Sequence, residues 1–223
     1  MKFQKLNMET WERADIFRHF IDDLRCVMSM TADIDVTALV QTAHERSLRF
    51  YPTMMWVVST AVNRRQELRM GFDRDGNPGV WDTVSPYYAH FYQQDERFVK
   101  LVADYSPNFD EFYWNFLRGQ EQLQSLRGFE LTDLPPNLFD LSCLPWIHYR
   151  SFDLHVFDEG RYLAPVIMWG RYSKDSNGQI TLPLSLNIHH AAADGFHLCR
   201  FFSDVQQLID TFPSPNFQEV RKP

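Results

Sequence analysis

Residues 182–209 read LPLSLNIHHAAADGFHLCRFFSDVQQLI, and this stretch decides how the C-terminal part of the chain folds. From Leu182 to Ile188 every second residue is apolar, which is the period of a half-buried β-strand. From Leu198 to Phe212 the apolar residues recur three and four positions apart, which is the period of an amphipathic helix. The sequence therefore predicts a strand and a helix joined by the segment HHAAADG.

This joining segment contains the residues best suited to chemistry. His190, at the end of a rigid strand, carries an imidazole that can act as a general base near neutral pH. Asp194 directly precedes the helix, where a carboxylate accepts hydrogen bonds from free backbone N–H groups. An alternative is a zinc site, because His190, Asp194 and His197 would converge on one continuous helix. The strand pattern up to Ile188 argues against that helix, so we expect no metal.

Composition limits the classes of partner. The chain has 223 residues, 44% of them hydrophobic, which predicts a packed globular protein. The mixture of strand and helix patterns, without repeats or linker-like stretches, predicts a single α/β domain over residues 1–223. The net charge of −7 leaves no basic surface for nucleic acid. No run approaches the roughly 20 apolar residues of a membrane span, so no membrane partner is expected. The N-terminal residues lack the apolar core of a secretion signal, which predicts a cytoplasmic protein.

Hydrophobic periodicity and turn residues predict the remaining elements. The predicted helices cover residues 10–25, 35–47, a stretch that begins at Pro52, and residues 108–126. The predicted strands cover residues 26–31, 70–72, 80–81, 87–91, 138–142, 149–155 and 164–172, and residues 127–137 are predicted to form a loop.

The string HHAAADGFH resembles the HHxxxDGxH signature of the chloramphenicol acetyltransferase family. Further segments resemble that family in the same order along the chain: WER at 11–13, FYP at 50–52, ELRM at 67–70, VWD at 80–82, PW at 145–146, SFDL at 151–154 and YLAP at 162–165. The shorter HxxxDG pattern also occurs in dihydrolipoamide acyltransferase cores, but the N-terminal agreement favours the antibiotic-type enzymes.

The resemblance implies a fold and a reaction. The fold would be a two-layer mixed β-sheet with helices packed on one side, assembled as a homotrimer with active sites between subunits. His190 would remove the proton from the hydroxyl group of a small-molecule acceptor, which then attacks the thioester of acetyl-coenzyme A. Ser142 would donate a hydrogen bond to the oxyanion that develops. Arg13 and Asp194 would form a structural ion pair.

The resemblance also places four residues in the acceptor pocket, and three of them depart from the family. Phe20 stands in place of a tyrosine, Met28 in place of a phenylalanine and Met168 in place of a threonine, whereas Leu154 lies in the matching segment SFDL. We therefore expect an O-acetyltransferase that acts on chloramphenicol or a related acceptor. A non-catalytic trimeric module that binds coenzyme A and a metal-dependent hydrolase are the alternatives.

Overall fold

The structure is a computed structural model, and it describes residues 1–123, 134–156 and 158–212. The strands are β1 (Phe3–Lys5), β2 (Val27–Asp35), β3 (Met70–Phe72), β4 (Pro78–Trp81), β5 (Ser85–Tyr92), β6 (Arg97–Val102), β7 (Leu138–Leu144), β8 (Val166–Gly170), β9 (Ser173–Lys174) and β10 (Ile180–His189). The helices are α1 (Ala14–Arg18), α2 (Thr37–Glu45), α3 (Phe50–Asn63), α4 (Phe109–Gln122) and α5 (Gly195–Asp210). A π-helical stretch (His19–Leu24) continues α1, and a 3-10 turn (Gln66–Arg69) follows α3.

One large mixed sheet organises these elements. Its strand order is β2-β10-β8-β7-β5-β6, and β9 extends the edge of β10. The pairs β5–β7 and β7–β8 are parallel, whereas β10 pairs antiparallel with both β2 and β8. A separate small sheet has the order β1-β4-β3.

The two faces of β10 differ in chemistry, as the alternating sequence predicts. Leu182, Leu184, Leu186 and Ile188 are at most 1% exposed and belong to the main hydrophobic core. Helix α5 packs over this apolar face against α3 and β2, and α2 contacts β10. The opposite face, called the polar face below, carries short polar side chains from neighbouring strands: Ser29, Thr31, Ser142, Ser185 and Asn187. The expected two-layer mixed sheet with helices on one side is confirmed.

The predicted elements are mostly present with shifted ends. The first helix begins at Ala14 and not at residue 10, because residues 8–13 form turns. Strand β2 continues to Asp35, four residues beyond its predicted end, because β10 pairs with it over that whole length. Strand β6 was not predicted. Most of the loop predicted at 127–137 and the end of the helix predicted at 108–126 lie outside the described residues.

The strand predicted at residues 149–155 is wrong. Residues 151–156 have no regular secondary structure, and the buried Tyr149 contacts the polar face through its side chain. Its hydroxyl donates to the carbonyl of Met168 at 2.8 Å and lies 3.1 Å from the hydroxyl of Ser185. The segment is therefore held against the sheet by the side chain of Tyr149 and not by strand pairing.

Within the described ranges, no helix is both long enough and apolar enough to cross a membrane.

Replacing Leu186 with alanine should strongly lower the free energy of unfolding, because its side chain is fully buried at 0% exposure. Leu-to-Ala substitutions in cores cost ~2–5 kcal/mol. Urea unfolding at fixed protein concentration measures the change. The matched control is Leu24→Ala, since Leu24 is 59% exposed and should change stability by about 0.5 kcal/mol or less. Equal losses in the two variants would contradict the assignment of this face to the core.

Candidate active site

The turn after β10 is held in place by His189, the last residue of the strand. The carbonyl oxygen of His189 accepts hydrogen bonds from the N–H groups of residues 192–193, at 2.9 and 3.3 Å. Its Nδ1 accepts another from the N–H of Ala191 at 3.1 Å. His190 then donates its own N–H to the carbonyl of Cys26 at 2.9 Å, which extends the β2–β10 ladder by one bond. The backbone that carries His190 is therefore fixed on both sides.

The two adjacent histidines have different surroundings. His189 is only 2% exposed, and burial lowers the pKa of its imidazole, which stays neutral near pH 7. The ring of His190 stacks on Phe20, with ring centroids 3.8 Å apart and planes 9° from parallel. Nδ1 of His190 is buried and has no hydrogen-bond partner among the residues that the structure describes. Ring stacking is thus the contact that sets the plane of this imidazole.

Asp194 joins the start of α5 to the start of α1. Its Oδ2 accepts a hydrogen bond from Nη1 of Arg13 at 2.8 Å, and Arg13 directly precedes α1. Its Oδ1 lies 2.7 Å from Nδ1 of His197, and that nitrogen is 3.1 Å from the backbone nitrogen of Asp194. Burial raises the pKa of the Asp194 carboxyl, but Arg13 and His197 outweigh burial and lower it below its usual value. Asp194 is therefore ionised near neutral pH and ties the turn to α1.

Ser142 lies on the polar face, well away from His190. It pairs with Met168, which pairs with Ser185, so these three residues form one row across the sheet. His190 follows β10 five residues beyond Ser185, and β7 is two strands away from β10. At ~3.4 Å per residue and ~4.8 Å per strand, the two Cα atoms are on the order of 15–20 Å apart. A single chain does not bring Ser142 and His190 together.

A cavity of about 550 Å³ opens beside the turn that carries His190. Cys26, His189 and Leu154 line it, so one of the four predicted acceptor residues lies in its wall. The other three lie elsewhere: Phe20 stacks on His190, Met168 is in the row of Ser142, and Met28 pairs with Ile188 on the apolar face. The four predicted acceptor residues do not converge on one place within the chain.

A partly buried charge pair occupies the polar face close to Ser142. Asp140, two residues before Ser142 on β7, contacts the ammonium of Lys100 and accepts a hydrogen bond from the hydroxyl of Tyr162. The Lys100 ammonium also lies 3.7 Å from the centroid of the Tyr87 ring. Burial lowers the pKa of Lys100 to about 8. Because Tyr162 also lines the cavity, this cluster links the cavity to the strand that carries Ser142.

Several of these roles were not predicted from the sequence. His197 was considered only as a possible metal ligand, whereas it forms a capping box with Asp194. The signal was present in its position, because the third residue of a helix is where a capping-box side chain reaches back to the N-cap. Lys100 and Asp140 are 40 positions apart in the sequence, so no local sequence pattern predicts that they pair. Within the described part of the chain, no group of three or more His, Cys, Asp or Glu side chains is arranged to hold a metal ion.

Comparison with known proteins identifies the family. The family model described as "Chloramphenicol acetyltransferase" matches residues 1–206. The chain belongs to the chloramphenicol acetyltransferase family. A chloramphenicol acetyltransferase of Clostridium perfringens is 35% identical over 95% of this chain and 97% of its own length. Chloramphenicol acetyltransferase 3 of Escherichia coli is 35% identical over 95% of this chain and 99% of its own length. Family membership makes the chain an acyltransferase.

Solved structures agree on the fold. A structure named chloramphenicol acetyltransferase matches 93% of this chain and all of its own, with a TM-score of 0.79 and 22% identity. A probable dihydrolipoamide acetyltransferase from Listeria monocytogenes matches 98% of each chain, with a TM-score of 0.63 and 12% identity. The two likenesses concern the fold of the chain alone.

Replacing Arg13 with alanine should lower thermal stability, and Asp194→Asn should do the same. The double variant should lose less stability than the sum of the two single losses, because both changes break the same ion pair. We expect a coupling energy of ~0.5–3 kcal/mol. Thermal unfolding of the four proteins in a double-mutant cycle measures the coupling. Arg18→Ala is the control, since its pair with Asp15 lies at the surface and should contribute little.

The pH dependence has a definite sign. The folded pKa of Asp194 is lowered, so its stabilisation is present above the unfolded pKa of about 3.9 and is lost as pH falls through the folded pKa. The stability gap between wild type and Arg13→Ala should therefore be full at pH 7 and shrink below about pH 4. Strict additivity, or a gap that grows in acid, would mean that the pair does not stabilise the fold.

Proposed function

We propose that this protein transfers an acetyl group from acetyl-coenzyme A to a hydroxyl group of chloramphenicol or a related small acceptor. The observation that carries the proposal is the turn at residues 189–194, in which His190 is held on a fixed backbone and the preceding residue, His189, lines a cavity of small-molecule size. The relatives described above carry the name of this activity over nearly their whole length.

His190 acts as the general base in this proposal. Its backbone is fixed by the bond to Cys26, and its ring is fixed by stacking on Phe20. A base that is already in place spends little free energy on reorganisation when it accepts the proton of the acceptor hydroxyl. The deprotonated oxygen then attacks the thioester carbonyl, coenzyme A leaves as the thiol, and the proton on His190 returns to the leaving sulfur.

Ser142 donates a hydrogen bond to the oxygen that becomes negative during this attack. It lies on β7, a central strand that pairs with β5 on one side and β8 on the other, and this makes its position rigid. A donor on such a strand is preorganised for the transition state.

The separation of Ser142 and His190 supports a site between subunits. Side chains on Cα atoms ~15–20 Å apart cannot both contact one reacting carbonyl. We infer that His190 of one copy meets Ser142 of a second copy, which requires a head-to-tail contact. Such contacts close into rings, and a homotrimer is the ring that the family resemblance implies. The cavity beside His190 would then receive the acceptor at the same interface.

The departures at the acceptor residues affect specificity more than chemistry. Phe20 offers a ring face to His190 without the hydroxyl of a tyrosine, and Met168 places a thioether in the row of Ser142. Neither change removes the base or the oxyanion donor, and we have no observation that favours a non-catalytic binding module. A cytoplasmic location stays a prediction from the sequence.

Replacing His190 with alanine should reduce turnover by about 10²–10⁴-fold, the range typical of a lost general base. Ser142→Ala should lower kcat by roughly 10²–10³-fold with little change in KM, because an oxyanion donor acts in the transition state. Thiol release from acetyl-coenzyme A, measured with chloramphenicol as the acceptor, provides both constants. His189→Ala should reduce turnover much less than His190→Ala when activity is expressed per folded enzyme. A Ser142→Ala variant that loses affinity at unchanged kcat would contradict the oxyanion role.

Mixing the two inactive variants should restore activity if the site lies between subunits. In a trimer assembled at random from equal amounts of His190→Ala and Ser142→Ala chains, about one site in four combines an intact His190 with an intact Ser142. Coexpression with two affinity tags isolates the mixed trimers, and light scattering checks for a mass near three times 26.5 kDa. Each variant purified alone is the control. Mixed oligomers without activity, or an active monomer, would overturn the interface site.

A further inference from the structure

The amine of Lys100 lies close to the serine at which the proposed reaction holds the acetyl donor. Lys100 pairs with Ala89 in the β5–β6 ladder. Ser142 follows the last pair of the β5–β7 ladder, Tyr88 and Leu141, by one residue. Lys100 and Ser142 therefore belong to one row of the sheet, two strands apart. At ~4.8 Å per strand, their Cα atoms are on the order of 10 Å apart.

The side chain of Lys100 points toward the strand that carries Ser142. Its ammonium contacts Oδ1 of Asp140, two residues before Ser142 and on the same face of β7. Because residues i and i+2 of a strand are ~6.8 Å apart, the amine lies on the order of 5–8 Å from the hydroxyl of Ser142. A thioester carbonyl that accepts a hydrogen bond from Ser142 can lie between the two groups. Rotation of the flexible lysine side chain can close the remaining gap.

The surroundings of Lys100 favour a nucleophilic amine. Its side chain is only 17% exposed, and burial lowers the pKa of its ammonium to about 8. With this pKa, roughly a tenth of the amine is unprotonated at pH 7 and about half at pH 8. The neutral amine, and not the ammonium, attacks a carbonyl carbon. The buried ring of Tyr87 covers one side of the group, with 3.7 Å from Nζ to the ring centroid, and this limits its hydration.

Asp140 is placed to take the proton that the lysine must lose. One carboxylate oxygen contacts the ammonium of Lys100, and the other accepts a hydrogen bond from the hydroxyl of Tyr162. The bond from Tyr162 holds the carboxylate in position when the lysine side chain turns away from it. A nucleophile with an adjacent group that accepts its proton is the usual arrangement in covalent acyl transfer.

We propose that Lys100 is a self-acetylation site, whose amine takes the acetyl group of acetyl-coenzyme A held at Ser142 when no small acceptor is bound. The ammonium first gives one proton to Asp140, which passes it to solvent. The nitrogen then bonds to the carbonyl carbon, the carbon–sulfur bond breaks, and a second proton moves from the nitrogen to the sulfur of coenzyme A. The product is an amide that no longer carries the positive charge beside Asp140. This inference rests on the proposed function, since it places the acetyl donor at Ser142.

Incubation of the purified protein with acetyl-coenzyme A, without chloramphenicol, tests the proposal by peptide mass spectrometry over time. Acetylation of Lys100 should be at least about 10-fold faster than that of the exposed Lys5 and Lys174, because a bound thioester has a high effective concentration at a neighbouring amine. The rate at Lys100 should rise up to about pH 8 and level off above about pH 9, as the amine loses its proton. The same incubation in urea should remove the preference for Lys100.

Two variants sharpen the test. Ser142→Ala should slow acetylation of Lys100 by at least about 10-fold, because the thioester loses the donor that stabilises its oxyanion. Lys100→Arg is the matched control, since it keeps the positive charge and cannot take the acetyl group under these conditions. It should lose the fast mass increase of one acetyl group. Equal rates at the three lysines, or a wild-type rate at Lys100 in Ser142→Ala, would overturn the inference.

The same protein sample, assayed with chloramphenicol, separates this inference from the proposed function. If chloramphenicol is not acetylated but Lys100 gains an acetyl group in a reaction that needs Ser142, transfer to that acceptor is wrong and the role of Lys100 stands. If chloramphenicol is acetylated and Lys100 stays unmodified, the role of Lys100 is overturned and the proposed function stands. If neither is acetylated, both are overturned.

Discussion

The antiparallel ladder between β2 and β10 is the interaction on which the site depends. It runs from the pair Thr181 and Asp35 to the pair His189 and Val27, and one further bond ties His190 to Cys26. A slip of one residue would turn the apolar side chains of β10 to the polar face. The buried leucines therefore fix the register, and the register in turn places His190 and the wall of the cavity.

The pairing of β10 with β8 and of β8 with β7 explains why Ser142 and His190 lie far apart in one chain. Rows of paired residues are rigid, so Ser142 stays in the row of Ser185 and cannot approach His190 at the end of β10. Both residues are held by central strands, which suits groups that need fixed positions in a transition state. Each chain therefore holds Ser142 and His190 as two separate half-sites, and association of two chains would bring one of each together. Oligomerisation would then be part of catalysis and not only of stability.

Three carboxylates around the turn and the polar face have side-chain partners. Asp194 is held by Arg13 and His197, Asp140 by Lys100 and Tyr162, and Asp153 by Ser29 and His155. These pairs tie irregular segments to strands and helices, because a partly buried carboxylate is costly to leave unpaired. His190 differs, since its contacts on the described residues are a ring face and a backbone carbonyl. Its imidazole is left available for proton transfer.

The sequence alone determined the strand and helix around HHAAADG, the N-cap at Asp194 and the apolar face of β10, because these features have periods or short-range signals. It did not determine the segment at 149–155, since Tyr149 contacts the sheet through its side chain and the segment does not pair as a strand. Tertiary structure decided the stacking of Phe20 on His190, the pairs of Lys100 and His155, and the separation of Ser142 from His190. These depend on which strands become neighbours and in what register, and that is settled only when the whole core packs.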